Sequence, residues 1–208
     1  MGADKRIFSR LEIPGVRLVH LEWFLPIIGE PIEAYALRMR LKNGISEDDP
    51  ILMGVSFGGM MAVEVAKHFP AATVILISSA GTRRQLPWWM KIGGRLGLNR
   101  LLPARPGRRF RWLEDYSLGV ESKDDARLVE DFRGKADPRY LRWALGQVVN
   151  WQNEWRPHRC FHVLGDRDRL FPLSRSGATH VVAGAGHFMV YNRSSTVSGI
   201  LTGIVSSL

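Results

Sequence analysis

Three short stretches of this 208-residue chain hold side chains able to carry out nucleophilic acyl chemistry. The first is Gly54-Val55-Ser56-Phe57-Gly58-Gly59. Its G-x-S-x-G spacing puts a serine in a sharp turn, and glycines on either side let backbone approach without a Cβ clash. The second is Gly165-Asp166-Arg167-Asp168, and the third is Gly184-Ala185-Gly186-His187. A hydroxyl needs a base to become a nucleophile, and an imidazole base needs a carboxylate to fix its tautomer. Serine, acid and histidine occur in that order along the chain. Taken singly, each has a plainer reading: a helix cap, an acidic surface turn, a histidine in a glycine-rich loop. Their joint placement is what argues for a site.

That placement depends on the elements around them. Apolar runs at 16–23, 51–55, 73–77, 160–164 and 179–182 read as strands. TVILI at 73–77 is continuous, as in a parallel strand buried on both faces. Helical spacing predicts helices over 32–42, with Ile32, Tyr35, Ala36 and Met39 inward, and over 57–68, 124–132, 137–150 and 194–208. Asp137-Pro138 reads as an N-cap followed by a first-turn proline. Strand–helix alternation implies an α/β fold with a mostly parallel sheet flanked by helices. Each candidate loop then follows the C-terminal end of a strand, where the sites of such sheets assemble. The helix after Ser56 turns its N-terminus, with free N–H groups, toward a developing oxyanion.

The alternation breaks between residues 82 and 157. That stretch holds six of the seven tryptophans and reads as a helical insertion, leaving 1–81 and 158–208 as the core. The charge is equally uneven. Lys and Arg number 29 against 20 Asp and Glu, a net +9. Nine of the cations, from Arg83 to Arg111, fall within residues 82–112 with no acid among them, so the rest of the chain is balanced. One cysteine, Cys160, excludes an internal disulfide. No apolar run approaches the ~18 residues of a membrane span, and the charged N-terminus lacks a signal-peptide core, so a cytoplasmic location is expected.

With these motifs in place, the sequence resembles the α/β-hydrolase superfamily over nearly its whole length. GVSFGG resembles the nucleophile elbow, GDRDRLFP the acid loop and GAGHF the histidine loop, while 82–157 stands where that family inserts a lid. The resemblance implies a serine hydrolase for a carboxylic ester or thioester, with Ser56 as nucleophile, His187 as general base and acid, and Asp168 as orienting acid. Asp166 is the fallback. It implies no cofactor. The Phe57 N–H is one expected oxyanion donor. Trp88, Trp89 and Trp143 are expected to line an apolar acyl pocket. A non-catalytic binding protein of the same fold and an acyltransferase with the same triad are the alternatives.

The resemblance also carries a departure. Gly2 to Phe8 matches a loop that follows a central strand ending in His-Gly, and the sequence starts inside that loop. The expectation is that Met1 lies downstream of the natural start. The 16–23 and 51–55 strands would then face each other without their usual neighbour, and the second oxyanion donor would fall to Met1 or Gly2. A shift of the 16–23 strand, or a segment of another copy, are the other ways to satisfy the backbone there.

Other candidates rank lower. His158, Cys160 and His162 alternate along one strand, but no fourth ligand is indicated, so no metal is expected. His20, His68, His180 and Cys160 read as structural. For the basic, tryptophan-containing insertion, neutralisation by the following acids (Glu114, Asp115, Glu121, Asp124, Asp125, Glu130, Asp131) plus pocket lining ranks first. Peripheral contact with anionic lipid comes next. Nucleic acid is not expected as a partner.

Overall fold

The computed structural model describes residues 2–46, 48–101 and 107–208, with the Arg108 side chain left aside. Met1 among the expected oxyanion donors, and Arg105 of the basic segment, lie outside the described residues.

Four strands, β1 (Ile51–Val55), β2 (Thr73–Ile77), β3 (Arg159–Gly165) and β4 (His180–Val182), form one parallel sheet in the order β1-β2-β3-β4. Parallel strands need crossovers, and helices supply them. Helix α1 (Ile32–Lys42) precedes β1, and α2 (Phe57–Ala66) joins β1 to β2. Between β2 and β3 come α3 (Trp88–Arg95), α4 (Arg111–Leu118), α5 (Lys123–Lys135) and α6 (Pro138–Asn150). A single turn, α7 (Leu173–Ser176), leads to β4, and α8 (Met189–Asn192) and α9 (Ser194–Ser206) close the chain. The predicted face of α1 is buried as read, Asp137 caps α6 through the Arg139 N–H, and β2 is buried at all five residues.

Alternate β2 residues feed two cores. Val74 and Leu76 pack with α1, α2 and α6 on one face of the sheet. Ile75 and Ile77 pack with α5, α8 and α9 on the other. The helical insertion therefore straddles the sheet: Ala144 and Val148 of α6 enter one core, Val129 and Phe132 of α5 the other. Helices α3 and α4 stay outermost, and α4 buries no residue.

The strand expected at 16–23 does not form. Exposure alternates only from Val16 to Val19 and then falls out of step, with Val19 and His20 both exposed; among the described residues the segment pairs with no strand, and the sheet does not close by shifting it toward β1. Its far end is tied to α1 by side chains instead. Asn43 accepts from the Glu22 N–H and donates to the Glu22 carbonyl, and the Tyr35 hydroxyl accepts from the Phe24 N–H and donates to its carbonyl. β1 is consequently an edge strand. The register turns the N–H and C=O groups of Ile51, Met53 and Val55 away from β2, and among the described residues they have no hydrogen-bond partner.

Among the described side chains, the acidic stretch makes one ion pair with the basic segment. Its carboxylates pair with Arg6, Arg10, Arg127, Arg133, Lys135 and Arg193. Of the nine cations, Arg111 alone among the described side chains reaches that stretch, at Glu130, while Arg84 pairs with Glu154. Arg133 draws Glu114, Asp115 and Glu130 together because it joins α4 to α5, and so removes the charges nearest the basic run.

Candidate active site

Because all four strands are parallel, their C-terminal ends share one edge of the sheet, and Ser56, Asp168 and His187 follow β1, β3 and β4 at that edge. Ser56 sits between β1 and α2 with φ 55° and ψ −123°, a conformation costing a non-glycine residue about 1–3 kcal/mol. Its surroundings hold it there. The Ser56 N–H donates to the Ile77 carbonyl at 2.9 Å, and the Ser56 carbonyl accepts from the Gly59 N–H at 3.0 Å and the Ser79 hydroxyl at 2.6 Å. A Cβ on Gly54 would stand 2.1 Å from the Gly58 carbonyl oxygen, and one on Gly59 would stand 2.4 Å from the Ser79 hydroxyl. Gly58 has no such restriction, since its Cβ would meet only Trp23 at 4.0 Å. The second close approach therefore belongs to Gly59, one residue beyond the G-x-S-x-G pattern. Ser79 was missed by sequence reasoning, and no motif marks it.

The N–H groups of Phe57 and Gly58, in the first turn of α2, donate to nothing among the described residues, as is usual at a helix N-terminus. Gly2, the other expected donor, packs against Ala136 and Leu141, where an added Cβ would stand at 2.9 Å and 3.2 Å.

The acid and the histidine meet. His187 Nδ1–H donates to Asp168 Oδ2 at 2.9 Å, while Asp168 Oδ1 accepts from the N–H groups of Leu170 and Phe171. Both residues are buried, and the Phe171 ring stacks on His187 with centroids 5.7 Å apart. Burial works to raise the Asp168 carboxyl. The adjoining imidazole and the two backbone donors outweigh it and hold the group below the usual carboxylate range. The fallback Asp166 is exposed and takes no part. Among the described residues no hydrogen bond joins Ser56 to His187.

The loop carrying His187 is clamped by the insertion. The Phe188 N–H donates to the Leu118 carbonyl, Gly119 and Gly186 touch backbone to backbone, and Asn192 donates to Gly119 and to buried Asp125. Of the expected pocket tryptophans, Trp143 lies in an aromatic cluster with Trp23, Tyr35, Tyr140 and Phe57, the residue next to Ser56. Trp88 and Trp89 do not join it. They stand on the solvent side of α3, 60% and 46% exposed, because Met90 and Gly94 take its inner face. Gly94 allows that contact: a Cβ there would fall 2.4 Å from the Val149 carbonyl.

The alternating group on β3 separates by depth. His158 is exposed, whereas burial pushes the Cys160 thiol up and the His162 imidazole down. Among the described residues no three His, Cys, Asp or Glu side chains gather as a metal site.

A profile of the Alpha/beta hydrolase family matches residues 16–197. A search of curated proteins finds no match. Among solved structures, the chain is similar to Est816, an N-acyl homoserine lactone degrading enzyme, with 17% identity and a TM-score of 0.64 over 98% of this chain and 89% of that one. It is similar to a thermophilic esterase from Thermogutta terrifontis, with 16% identity and a TM-score of 0.62 over 99% and 86%. It is also similar to a bromoperoxidase from Bacillus anthracis, with 12% identity and a TM-score of 0.58 over 85% and 74%. At such identities the likeness is one of fold, and the three proteins are named for different chemistries.

Proposed function

The chain belongs to the alpha/beta hydrolase family, and from that premise we propose that it is a serine hydrolase cleaving a carboxylic ester or thioester through an acyl-enzyme on Ser56. The observation that carries the reading is the strained Ser56, set on the same sheet edge as the buried Asp168–His187 pair. In this reading Ser56 Oγ attacks the acyl carbon and His187 Nε2 takes its proton. Asp168 keeps the other ring proton on Nδ1 and stabilises the imidazolium. The oxyanion forms against the Phe57 N–H at the positive end of α2. His187 returns the proton to the departing alcohol or thiol. Water then repeats the sequence to free the acid.

The aromatic cluster around Trp143 and Phe57 supports an apolar acyl group beside Ser56. The insertion acts in this reading as a lid whose α4–α5 connection presses on the histidine loop. The missing Ser56–His187 hydrogen bond is compatible with catalysis, since such bonds tighten when substrate binds.

The test is labelling with a fluorophosphonate probe alongside hydrolysis of short p-nitrophenyl esters. Ser56→Ala should abolish labelling and lower turnover by roughly 10⁴–10⁶. A folded protein that takes no label would instead favour the non-catalytic binding reading. An acyl group passed preferentially to an added alcohol rather than to water would favour the acyltransferase.

A further inference from the structure

The outer surface of α3 and of the turn Leu98–Arg100 behind it is built opposite to a core helix. Met90 and Gly94, one turn apart, face inward. Trp88, Ile92 and Leu96 form a stripe on the far side, with Trp89 beside it and Leu98 and Leu101 following. Their exposures run from 45% for Leu98 to 82% for Leu101. Lys91 and Arg95 flank the stripe along one side of the helix, and Arg100 follows in the turn. Among the described residues none of these three cations makes an ion pair. No acid occurs anywhere in residues 82–112.

We propose that this face docks on an anionic bilayer surface. Two physical terms have to act together there. Indole rings and leucine side chains gain by entering the boundary between headgroups and acyl chains, which suits a short helix lying in the plane. Unpaired cations gain from the negative surface potential, each contributing on the order of a fivefold increase in partition. A phosphate backbone would satisfy the arginines but leave the aliphatic stripe in water, so a nucleic acid explains half of the surface. A neutral membrane explains the other half. An eight-residue helix is too short to bind by apolar contact alone, so docking is shallow, reversible and strongly dependent on salt.

The experiment uses the whole chain with vesicles of equimolar phosphatidylglycerol and phosphatidylcholine, compared with phosphatidylcholine alone. Co-sedimentation and tryptophan emission are read. The anionic vesicles should bind at least about 30-fold more tightly and shift the emission to the blue, with both effects fading as salt rises. K91Q/R95Q should lower partition by about 30-fold. I92S/L96S should lower it by roughly tenfold. K91R/R95K should retain it. These side chains are at or near the surface, and circular dichroism checks that each variant stays folded. Equal binding to neutral vesicles, no binding to anionic ones, or unchanged binding by both double variants would overturn the proposal. So would tight binding of a single-stranded oligonucleotide with the vesicles left unbound. None of these readouts depends on ester hydrolysis.

Discussion

Ser56 holds a backbone conformation that its own side chain disfavours, and its glycine neighbours do not share the burden equally. Gly54→Ala and Gly59→Ala should each cost several kcal/mol or prevent folding, because the added methyl meets backbone or a fixed hydroxyl below any real contact distance. Gly58→Ala should fall within about 1 kcal/mol of the parent, and urea unfolding of the three variants separates the cases. The motif was legible in the sequence, but which glycine does what was not, since that depends on Ser79 arriving from the end of β2. Asp168 offers a second check. Its folded carboxyl titrates below the unfolded value of about 3.9, so its stabilising share is complete above that value. That share is lost as pH falls through the lower, folded value. Asp168→Asn should flatten the acid limb of stability against pH below about pH 4 and leave the slope near neutrality unchanged. In the proposed mechanism it should also lower kcat by roughly 10⁴. Family spacing favours Asp168 over Asp166 as the acid, and Asp168 is the carboxylate that touches His187.

At the scale of elements, α1, β1 and β2 were legible to the residue, because each is governed by its own periodicity and local ends. The failure at 16–23 has a different origin. Alternation reports which side chains want burial, whereas a strand needs a neighbour to receive its backbone, and among the described residues none pairs with this one. The insertion shows a further limit. Its helices could be read one by one, but nothing in their composition revealed that α5 and α6 belong to opposite cores. The end of the insertion is anchored by Glu64 of α2, which is almost wholly buried. It accepts from Trp151 Nε1 at 2.7 Å and from Lys67 at 2.7 Å. Glu64→Ala strands the indole N–H and should lower stability by about 1–3 kcal/mol. Glu64→Gln should recover part of that loss, and thermal melts of the two variants measure the difference.

At the scale of the whole molecule, the excess charge and much of the exposed aromatic surface occupy the same segment, while the buried carboxylates among the described residues (Glu30, Glu64, Asp125 and Asp168) lie outside its basic run. The charge count was visible in the sequence, but its pairing was not. A run of acids next to a run of bases suggested mutual neutralisation, and the fold spends those acids on other arginines. The sheet has an asymmetry of its own. β2 is enclosed on both edges, whereas β1 leaves the N–H groups of Ile51, Met53 and Val55 without acceptors among the described residues. In deuterated water those three amides should exchange early, through motions far smaller than global unfolding. Leu52, Gly54 and the β2 amides should exchange orders of magnitude later. β1 would thus carry a two-beat pattern of deuterium uptake, fast and slow on alternate residues, leading directly up to Ser56.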